Sequence, residues 1–486
     1  MKEYAAKQPS PWVSVLPLAV LTLLLYVVIR CFGGDAINGG SQIALLSATS
    51  VCVMLAIGIY RCKWAVLEEA IIDNIRASAS AIIILLLIGA IAGSWMVSGV
   101  VPTMIYYGLK ILHPSFFLVA SCAICAGVSL MTGSSWTTIA TIGVALMGIG
   151  QAMGFPEGWI AGAIISGAYF GDKISLLSDT TVLASSTVGV PIFTHIRYML
   201  YTTVPSFVIA LAVFVIAGLT LDHTGGTHAG MYADSLRGTF RITPWLLAVP
   251  VATGVLIVRK LPAIVTLFCA AVFACIAMLL AQPELVAKVA GVGGLDFMSG
   301  FKGVLMSCFG PTAIPTGSPQ LDELVATRGM AGMLNTVWLI ICAMCFGGVM
   351  TGSGMLGALT SVFLRFVRRA FSAVASTVGA GIFFNLCTAD QYISIILSGR
   401  LFRELYAERG LEPRLLSRSV EDSATVCSVL VPWNSCGMTQ ATVLGVSTFV
   451  YMPYCIFNIV SPLMSLMVAA IGWKIKRAAG TAAHPH

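Results

Sequence analysis

Apolar stretches long enough to cross a membrane recur along the whole sequence. Residues 12–29, 41–60, 198–219 and 263–280 are examples, and each has the length that a helix needs to span the hydrocarbon core of a bilayer. Charged residues make up only 10% of the 486 positions and hydrophobic residues 58%, which leaves too little charge to cover the surface of a soluble protein of this size. The sequence therefore predicts an all-α polytopic membrane protein with about 11 to 13 helical passages, broken segments included.

Two halves of the sequence repeat each other at an offset of about 255 residues. The matching positions include Gly93, Ser98 and Gly99 in the first half with Gly348, Ser353 and Gly354 in the second. Because such matches are collinear, we predict two structural repeats, residues 1–220 and 263–478. A polar loop and linking span at 221–262 would join them, and residues 479–486 would form a tail. The relative orientation of the repeats stays open, because broken segments make the number of passages ambiguous.

Polar insertions interrupt the apolar segments at corresponding places in the two halves. Residues 131–136 lie opposite residues 386–391, and residues 171–180 lie opposite residues 420–435 with a six-residue difference in length. Paired, interrupted hydrophobic segments are the best sequence indication of a binding site in a secondary transporter. A repeat without a shared site is the alternative. A channel would generally assemble a symmetric filter, so two unlike polar motifs favour a carrier.

The residue types in these insertions suit a cation pathway. Ionisable side chains at membrane depth are costly, and those retained usually line a pathway. Sodium is a hard cation that prefers oxygen ligands, and a buried carboxylate can exchange a proton for a cation. The candidate ion- and substrate-binding residues are Thr132, Ser134, Ser135, Asp172, Ser178, Asp179, Thr180, Asn385, Thr388, Asp390, Glu421, Asp422 and Asn434. Asp172, Asp179 and Asp390 are the predicted sodium ligands, and hydroxyls flank Asp179 without a basic neighbour.

Several of these carboxylates also have a structural interpretation. Asp172 is adjacent to Lys173 and could form half of a buried ion pair with it. Asp390 could cap the end of a helix. Glu421 and Asp422 could lie in the first turn of a helix, where acidic side chains are favourable.

The sequence contains no signal for an enzyme or for a bound cofactor. The two CxxC pairs lie inside apolar runs without a nearby histidine, so a zinc site, which needs four ligands, is not expected. A phosphate-binding loop is absent, so ATP-driven pumping has no support. The GxxxG spacings at 158/162, 167/171 and 348/352 predict close helix packing. The only small ions expected are the transported Na+ and H+.

Basic residues indicate how the chain lies in the membrane. They concentrate at 400–418 and 474–477, which places the C-terminus in the cytoplasm by the positive-inside rule. The same rule explains the net charge of +7 without a nucleic-acid partner. The predicted location is the cell (inner) membrane, and the predicted partner is membrane lipid. Whether the chain forms a homodimer stays open.

The polar motifs resemble those of a known family. The run at 167–181 and the following residues 193–197 are similar to the signature of NhaC-type sodium/proton antiporters. The motifs at 132–136, 390–392, 421–423 and 431–436 match it as well. The resemblance implies the wider ion-transporter superfamily, two repeats with broken or re-entrant helices, and Na+/H+ exchange through membrane-embedded carboxylates.

The sequence departs from the family pattern at a few positions. Leu176 stands where Pro is expected and Val182 where Asn is expected, so one potential oxygen ligand is missing. The family also includes exchangers of organic anions such as malate and lactate. The alternative is therefore a cation- or proton-coupled carrier of a small carboxylate metabolite or an amino acid.

Overall fold

The computed structural model describes residues 9–32, 38–221, 227–259, 261–294, 296–316, 322, 325–365, 367 and 369–475. These residues are helical almost throughout, and their only β-type contact is one bridge between Thr312 and Thr327. The all-α prediction is confirmed. Among the described residues, eight helices are long and apolar enough to cross a membrane, or 11 if each of three bent pairs is one span. The predicted tail at 479–486 lies outside the described residues.

The main helices follow one another with short connections. In the first part of the chain they are α1 (Leu16–Phe32), α2 (Gly40–Gly58), α3 (Trp64–Val97), α4 (Val100–Ile111), α5 (Phe117–Thr132), α6 (Ser135–Thr138, continued through the wide turn Ile139–Gly143 to Val144–Ala152), α7 (Glu157–Ile174), α8 (Asp179–Val188) and α9 (Ile192–Thr220). The next are α10 (Thr227–Thr239), α11 (Ala248–Val258), α12 (Ala263–Ala281), α13 (Pro283–Ala290) and α14 (Phe297–Phe309). The last are α15 (Leu334–Gly352), α16 (Met355–Arg365), α17 (Ala370–Thr388), α18 (Gln391–Glu408), α19 (Pro413–Val420), α20 (Ser435–Leu444) and α21 (Ile456–Ile471).

The segment between the predicted repeats contains more helix than expected. We expected a polar loop from residue 221, but Thr227–Thr239 forms α10, and Leu236 and Phe240 are buried against the core. The chain then bends by 95° between Gly230–Thr239 and Pro244–Val258. A segment whose residues are polar on average can therefore still form an amphipathic helix that buries its apolar side chains.

The first pair of polar insertions breaks the helices in the same way in both repeats. Gly133 ends α5 and Ala389 ends α17, each in the left-handed conformation with φ of 66° and 57°. The next residue then caps the following helix, with Ser134 accepting from Thr137 N and Asp390 accepting from Tyr392 N. The left-handed residue ends the hydrogen-bond ladder of one helix, and the capping side chain that follows starts the ladder of the next. Both breaks are therefore encoded locally.

The second pair of insertions shows that one sequence expectation is wrong. Ser178 caps α8 and Asn434 caps α20, and Gly189 and Gly445 end these two ten-residue helices. The offset stays at about 256 residues throughout, so the expected six-residue difference in length is not present. Asp172 consequently corresponds to Ser428 rather than to Glu421 or Asp422. Glu421 and Asp422 lie about two helical turns before Ser428.

Close helix packing brings α7 against its neighbours, as the GxxxG spacings predicted. Gly167 and Gly171 of α7 face the backbone carbonyls of Cys122 and Ala126 of α5, with no room for a Cβ atom. Small residues let two helix backbones approach in this way. As a result, the polar end of α7 lies directly beside the break between α5 and α6.

Candidate functional site

Asp172 lies at the C-terminal end of α7 and faces the start of α6. Its Oδ2 atom accepts hydrogen bonds from Ser135 N at 3.0 Å and from Ser135 Oγ at 2.7 Å. The first amides of a helix have no partner within the helix and favour negative charge. The Oδ1 atom of Asp172 is buried and has no hydrogen-bond partner within the described residues.

Glu421 comes from the other repeat. Its segment meets that of Asp172 directly, because Lys173, which follows Asp172, bonds Asp422, which follows Glu421. Glu421 lies in the π-helical turn Glu421–Thr425, which continues α19. The side chain is fully buried, and neither carboxylate oxygen has a hydrogen-bond partner in the described part of the chain. The hydroxyls of Thr180 and Thr425 lie beside it. Burying an unpaired carboxylate is costly, so this carboxylate is suited to bind a proton or a cation.

Lys173 does not pair with Asp172, which corrects one interpretation from the sequence. Its ammonium instead bonds Asp422, across the two repeats, and also donates to Ser461 Oγ at 2.9 Å. Consecutive residues of a helix point about 100° apart. Asp172 therefore faces α6 while Lys173 faces the second repeat.

Glu421 and Asp422 are not in the first turn of a helix, so that interpretation is also wrong. Their helix begins at Pro413, where a proline is well suited to the first helical position. Ser419, two residues before Glu421, does not cap a helix and donates back to Leu415 O at 2.8 Å. Both acids are held in mid-helix, fully buried.

Asp390 caps α18, and this structural interpretation is confirmed. Its Oδ1 atom accepts from the backbone amides of Tyr392 at 2.9 Å and Ile393 at 3.1 Å. Its Oδ2 atom accepts from Ser435 Oγ at 3.2 Å. The buried carboxylate thus ties the start of α18 to the start of α20, and most of its capacity to accept hydrogen bonds is used.

The asparagines and Thr388 brace the break in the second repeat. Asn434 donates to Asn385 Oδ1 at 3.2 Å, and Asn385 donates to Ala424 O at 2.7 Å. The Thr388 hydroxyl lies 3.2 Å from Asp390 O. These predicted site residues are brought together, but their polar groups bond one another.

The hydroxyls of the first repeat brace its two breaks in the same manner. The Thr132 hydroxyl lies 3.2 Å from Ser134 O. Ser178 caps α8 and lies 3.0 Å from the Thr180 hydroxyl. Ser178 also lies beside the Asp172 carboxyl. The hydroxyl of Ser178 therefore lies next to Asp172, and that of Thr180 lies next to Glu421.

Asp179 is the first residue of α8, and its side chain is exposed. It lies within electrostatic range of Asp172, but it is not part of the buried cluster. The Tyr392 side chain is within electrostatic range of Asp179, Asp172 and Asp390 alike. The three predicted sodium ligands therefore have different surroundings: Asp172 bonds Ser135, Asp390 caps α18, and Asp179 is exposed.

Sequence reasoning missed the basic residues of the site. Lys173 and Arg418 are both fully buried, and Asp422 is also within 3.3 Å of Thr202 Oγ1. The signal that could have identified them is the rule applied to the acids, because a lysine or arginine at membrane depth is as costly as a carboxylate. In the sequence, the basic residues at 400–418 served only as an indication of how the chain lies in the membrane.

A large cavity lies beside the start of α20. Its volume is about 830 Å³, and its lining includes Gln151, Glu157, Arg328, Asn335, Trp433 and Thr442. Because Trp433 directly precedes the capping residue Asn434, the cavity reaches the broken segment of the second repeat.

Comparison with known proteins identifies the family. The model of the Na+/H+ antiporter family matches residues 167–473, a range that contains Asp172, Glu421 and both capped breaks of the second repeat. The chain belongs to this family. It is 35% identical to the Na+/H+ antiporter NhaC of Alkalihalophilus pseudofirmus over 425 residues, which cover 87% of this chain and 89% of that relative. The resemblance read from the sequence motifs is therefore confirmed.

Other relatives carry different names. The chain is 34% identical over 437 residues to a malate-2H+/Na+-lactate antiporter of Bacillus subtilis, covering 89% of both chains. It is 33% identical over 474 residues to the arginine/ornithine antiporter ArcD of Halobacterium salinarum, covering 96% of this chain and 93% of the relative. These relatives are antiporters and not enzymes, so family membership supports secondary transport by a multi-pass membrane protein.

Proposed function

We propose that this chain exchanges Na+ for H+ at a site formed by Asp172 and Glu421. The observation that carries the proposal is a pair of buried carboxylates, one from each repeat, with three oxygens that have no hydrogen-bond partner among the described residues. A cation or a proton bound between them would remove the cost of burying this charge. Sites at the interface of two repeats are typical of secondary transporters.

The neighbouring oxygens complete the proposed cation site. Ser178 and Thr180 supply hydroxyls next to the carboxylates, and hydroxyl and carboxylate oxygens are ligands that a hard cation prefers. Na+ binds when both carboxylates are ionised, and protonation of the carboxylates releases it. Because one ligand group cannot hold both at once, the two ions are exchanged rather than transported together.

The other predicted acids have different roles in this proposal. Asp390 holds the starts of α18 and α20 together through Ser435. Asp179, which is exposed beside Asp172, attracts cations toward the site. The basic residues after Trp473 favour a cytoplasmic C-terminus in the cell membrane.

Proteoliposomes with an imposed pH gradient test the exchange. We expect external Na+ or Li+ to collapse the gradient without any organic solute, while choline leaves it intact. Liposomes without protein and liposomes with the Asp172→Asn variant are the controls. A gradient that persists in the presence of Na+ and collapses only when a carboxylate metabolite is added would contradict Na+/H+ exchange.

The large cavity favours a second candidate, a cation-coupled exchanger of a small carboxylate metabolite or an amino acid. Its volume of about 830 Å³ exceeds the space that a sodium ion needs, and two of its lining residues, Arg328 and Glu157, carry charges of opposite sign. Arginine binds carboxylates with a well-matched geometry. Relatives named for malate, lactate, arginine and ornithine belong to the same family.

Replacing Arg328 distinguishes the two candidates. If an organic carboxylate is transported, Arg328→Gln should raise its KM about tenfold, the usual effect of losing one charged hydrogen-bond donor. If Na+/H+ exchange is the only activity, the same variant should leave the KM for Na+ unchanged. The measurement is uptake of radiolabelled malate and of arginine by proteoliposomes. Lys302→Gln is the control, because Lys302 is an exposed basic residue that does not line the cavity.

A further inference from the structure

Four buried ionisable side chains form a network in which hydrogen bonding is incomplete. Lys173 Nζ donates to Asp422 Oδ1 and to Ser461 Oγ. Asp422 Oδ2, both oxygens of Glu421 and the three guanidinium nitrogens of Arg418 have no hydrogen-bond partner in the part of the chain that the structure describes. Buried polar groups are rarely left unpaired. Unpaired donors and acceptors side by side therefore indicate a second arrangement of the same groups.

Arg418 is in position to replace Lys173 at Asp422. Its Nε atom lies 3.9 Å from Asp422 Oδ2, one helical turn earlier in the chain. Its guanidinium group also lies 4.8 Å from the centre of the Tyr198 ring, a distance at which a cation and an aromatic ring attract each other. A movement of about 1 Å would bring the two groups within hydrogen-bond distance. Asp422 would then stay paired after Lys173 had left.

Glu421 is in position to accept Lys173. Glu421 directly precedes Asp422, which Lys173 already contacts, and all three side chains are fully buried. Lysine carries a compact charge on a flexible stem, whereas arginine has a planar and less adaptable group. Lys173 is therefore the member of the network that can move between the adjacent carboxylates Asp422 and Glu421.

We propose that Lys173 is a tethered cation, which moves from Asp422 to Glu421 when the transported cation leaves while Arg418 takes its place at Asp422. The proposal rests on Na+/H+ exchange at Asp172 and Glu421 and adds a positioning residue to it. In the empty site Lys173 neutralises Glu421, and an arriving Na+ displaces it. Lys173 thus competes with Na+, and it allows the empty carrier to change accessibility without an unpaired buried charge.

A paired neutralisation separates this role from that of a static ion pair. The double variant Lys173→Gln/Asp422→Asn removes one charge of each sign, so the net charge of the network does not change. We expect the KM for Na+ to fall about threefold or more, because the competitor is gone, and the maximal rate to fall about tenfold. The matched control Arg241→Gln/Glu284→Gln neutralises an exposed pair and should change neither constant. An unchanged KM for Na+ in the Lys173/Asp422 variant would overturn the proposal.

A thermal-stability cycle tests the movement independently of the cargo. Melting temperatures are measured in detergent without Na+ for the wild type, Lys173→Gln, Glu421→Gln and the double variant. A tethered cation predicts coupling of about 2 °C or more between Lys173 and Glu421, and a larger effect of Arg418→Met when Lys173 is absent. Where Lys173→Gln alone does not fold, the cycle is run in the Asp422→Asn background.

The two measurements test the tethered cation and the Na+/H+ exchange independently of each other. Absence of coupling between Lys173 and Glu421 overturns the tethered cation, even in a protein that exchanges Na+ for H+. Wild-type liposomes that do not respond to Na+ overturn the proposed exchange, whereas the coupling in detergent is measured in either case.

Discussion

Asp172→Asn is expected to lower Na+-driven proton movement by about 100-fold or more. The amide keeps the shape of the side chain and can still accept a hydrogen bond from Ser135, but it has no charge and cannot exchange a proton for a cation. Removing one charged group from a buried, desolvated pair typically costs 2 to 5 kcal/mol, and about 2.7 kcal/mol corresponds to a factor of 100. The measurement is the rate of Na+-dependent collapse of a pH gradient in proteoliposomes.

Asp179→Asn is the matched control for this variant. It makes the same chemical change seven residues further along the chain, at an exposed helix start. We expect a decrease of about threefold at low salt, which disappears at high ionic strength because long-range attraction is screened. The reverse result, with loss of exchange in Asp179→Asn and normal exchange in Asp172→Asn, would make Asp179 the carrier of the cation.

Glu421→Gln is expected to abolish exchange and to stabilise the protein. The amide resembles a carboxyl group that keeps its proton, so the site can no longer release H+ when Na+ arrives. The wild-type carboxylate is buried without a hydrogen-bond partner among the described residues, and the amide does not carry the cost of burying such a charge. We expect exchange to fall about 100-fold and the melting temperature in detergent to rise by about 2 °C or more.

The combination of lost activity and gained stability makes the Glu421 prediction specific. Glu412→Gln is the control, because Glu412 is only partly buried and pairs with Arg414 at the start of α19. That variant should keep its exchange rate and should not gain stability. A Glu421→Gln protein that keeps the wild-type rate of Na+/H+ exchange would contradict the proposed site.

Most of the local structure could be read from the sequence. The breaks at Gly133 and Ala389 follow polar residues inside apolar stretches, and Ser134, Asp390 and Asn434 are residue types that cap helices. The length of α10 was missed, because average polarity hides an amphipathic pattern. The register of the second break was also wrong, since the alignment followed the acids rather than the caps.

The sequence by itself determined the membrane class, the repeats, the helix breaks and the set of polar side chains, because each depends on local composition and spacing. Tertiary structure alone decided which of these side chains meet. Asp172 faces Ser135 whereas its neighbour Lys173 reaches Asp422 in the other repeat, as the rotation of α7 against α5 and α19 dictates. Helix rotation depends on packing between residues far apart in the chain, and no local pattern records it.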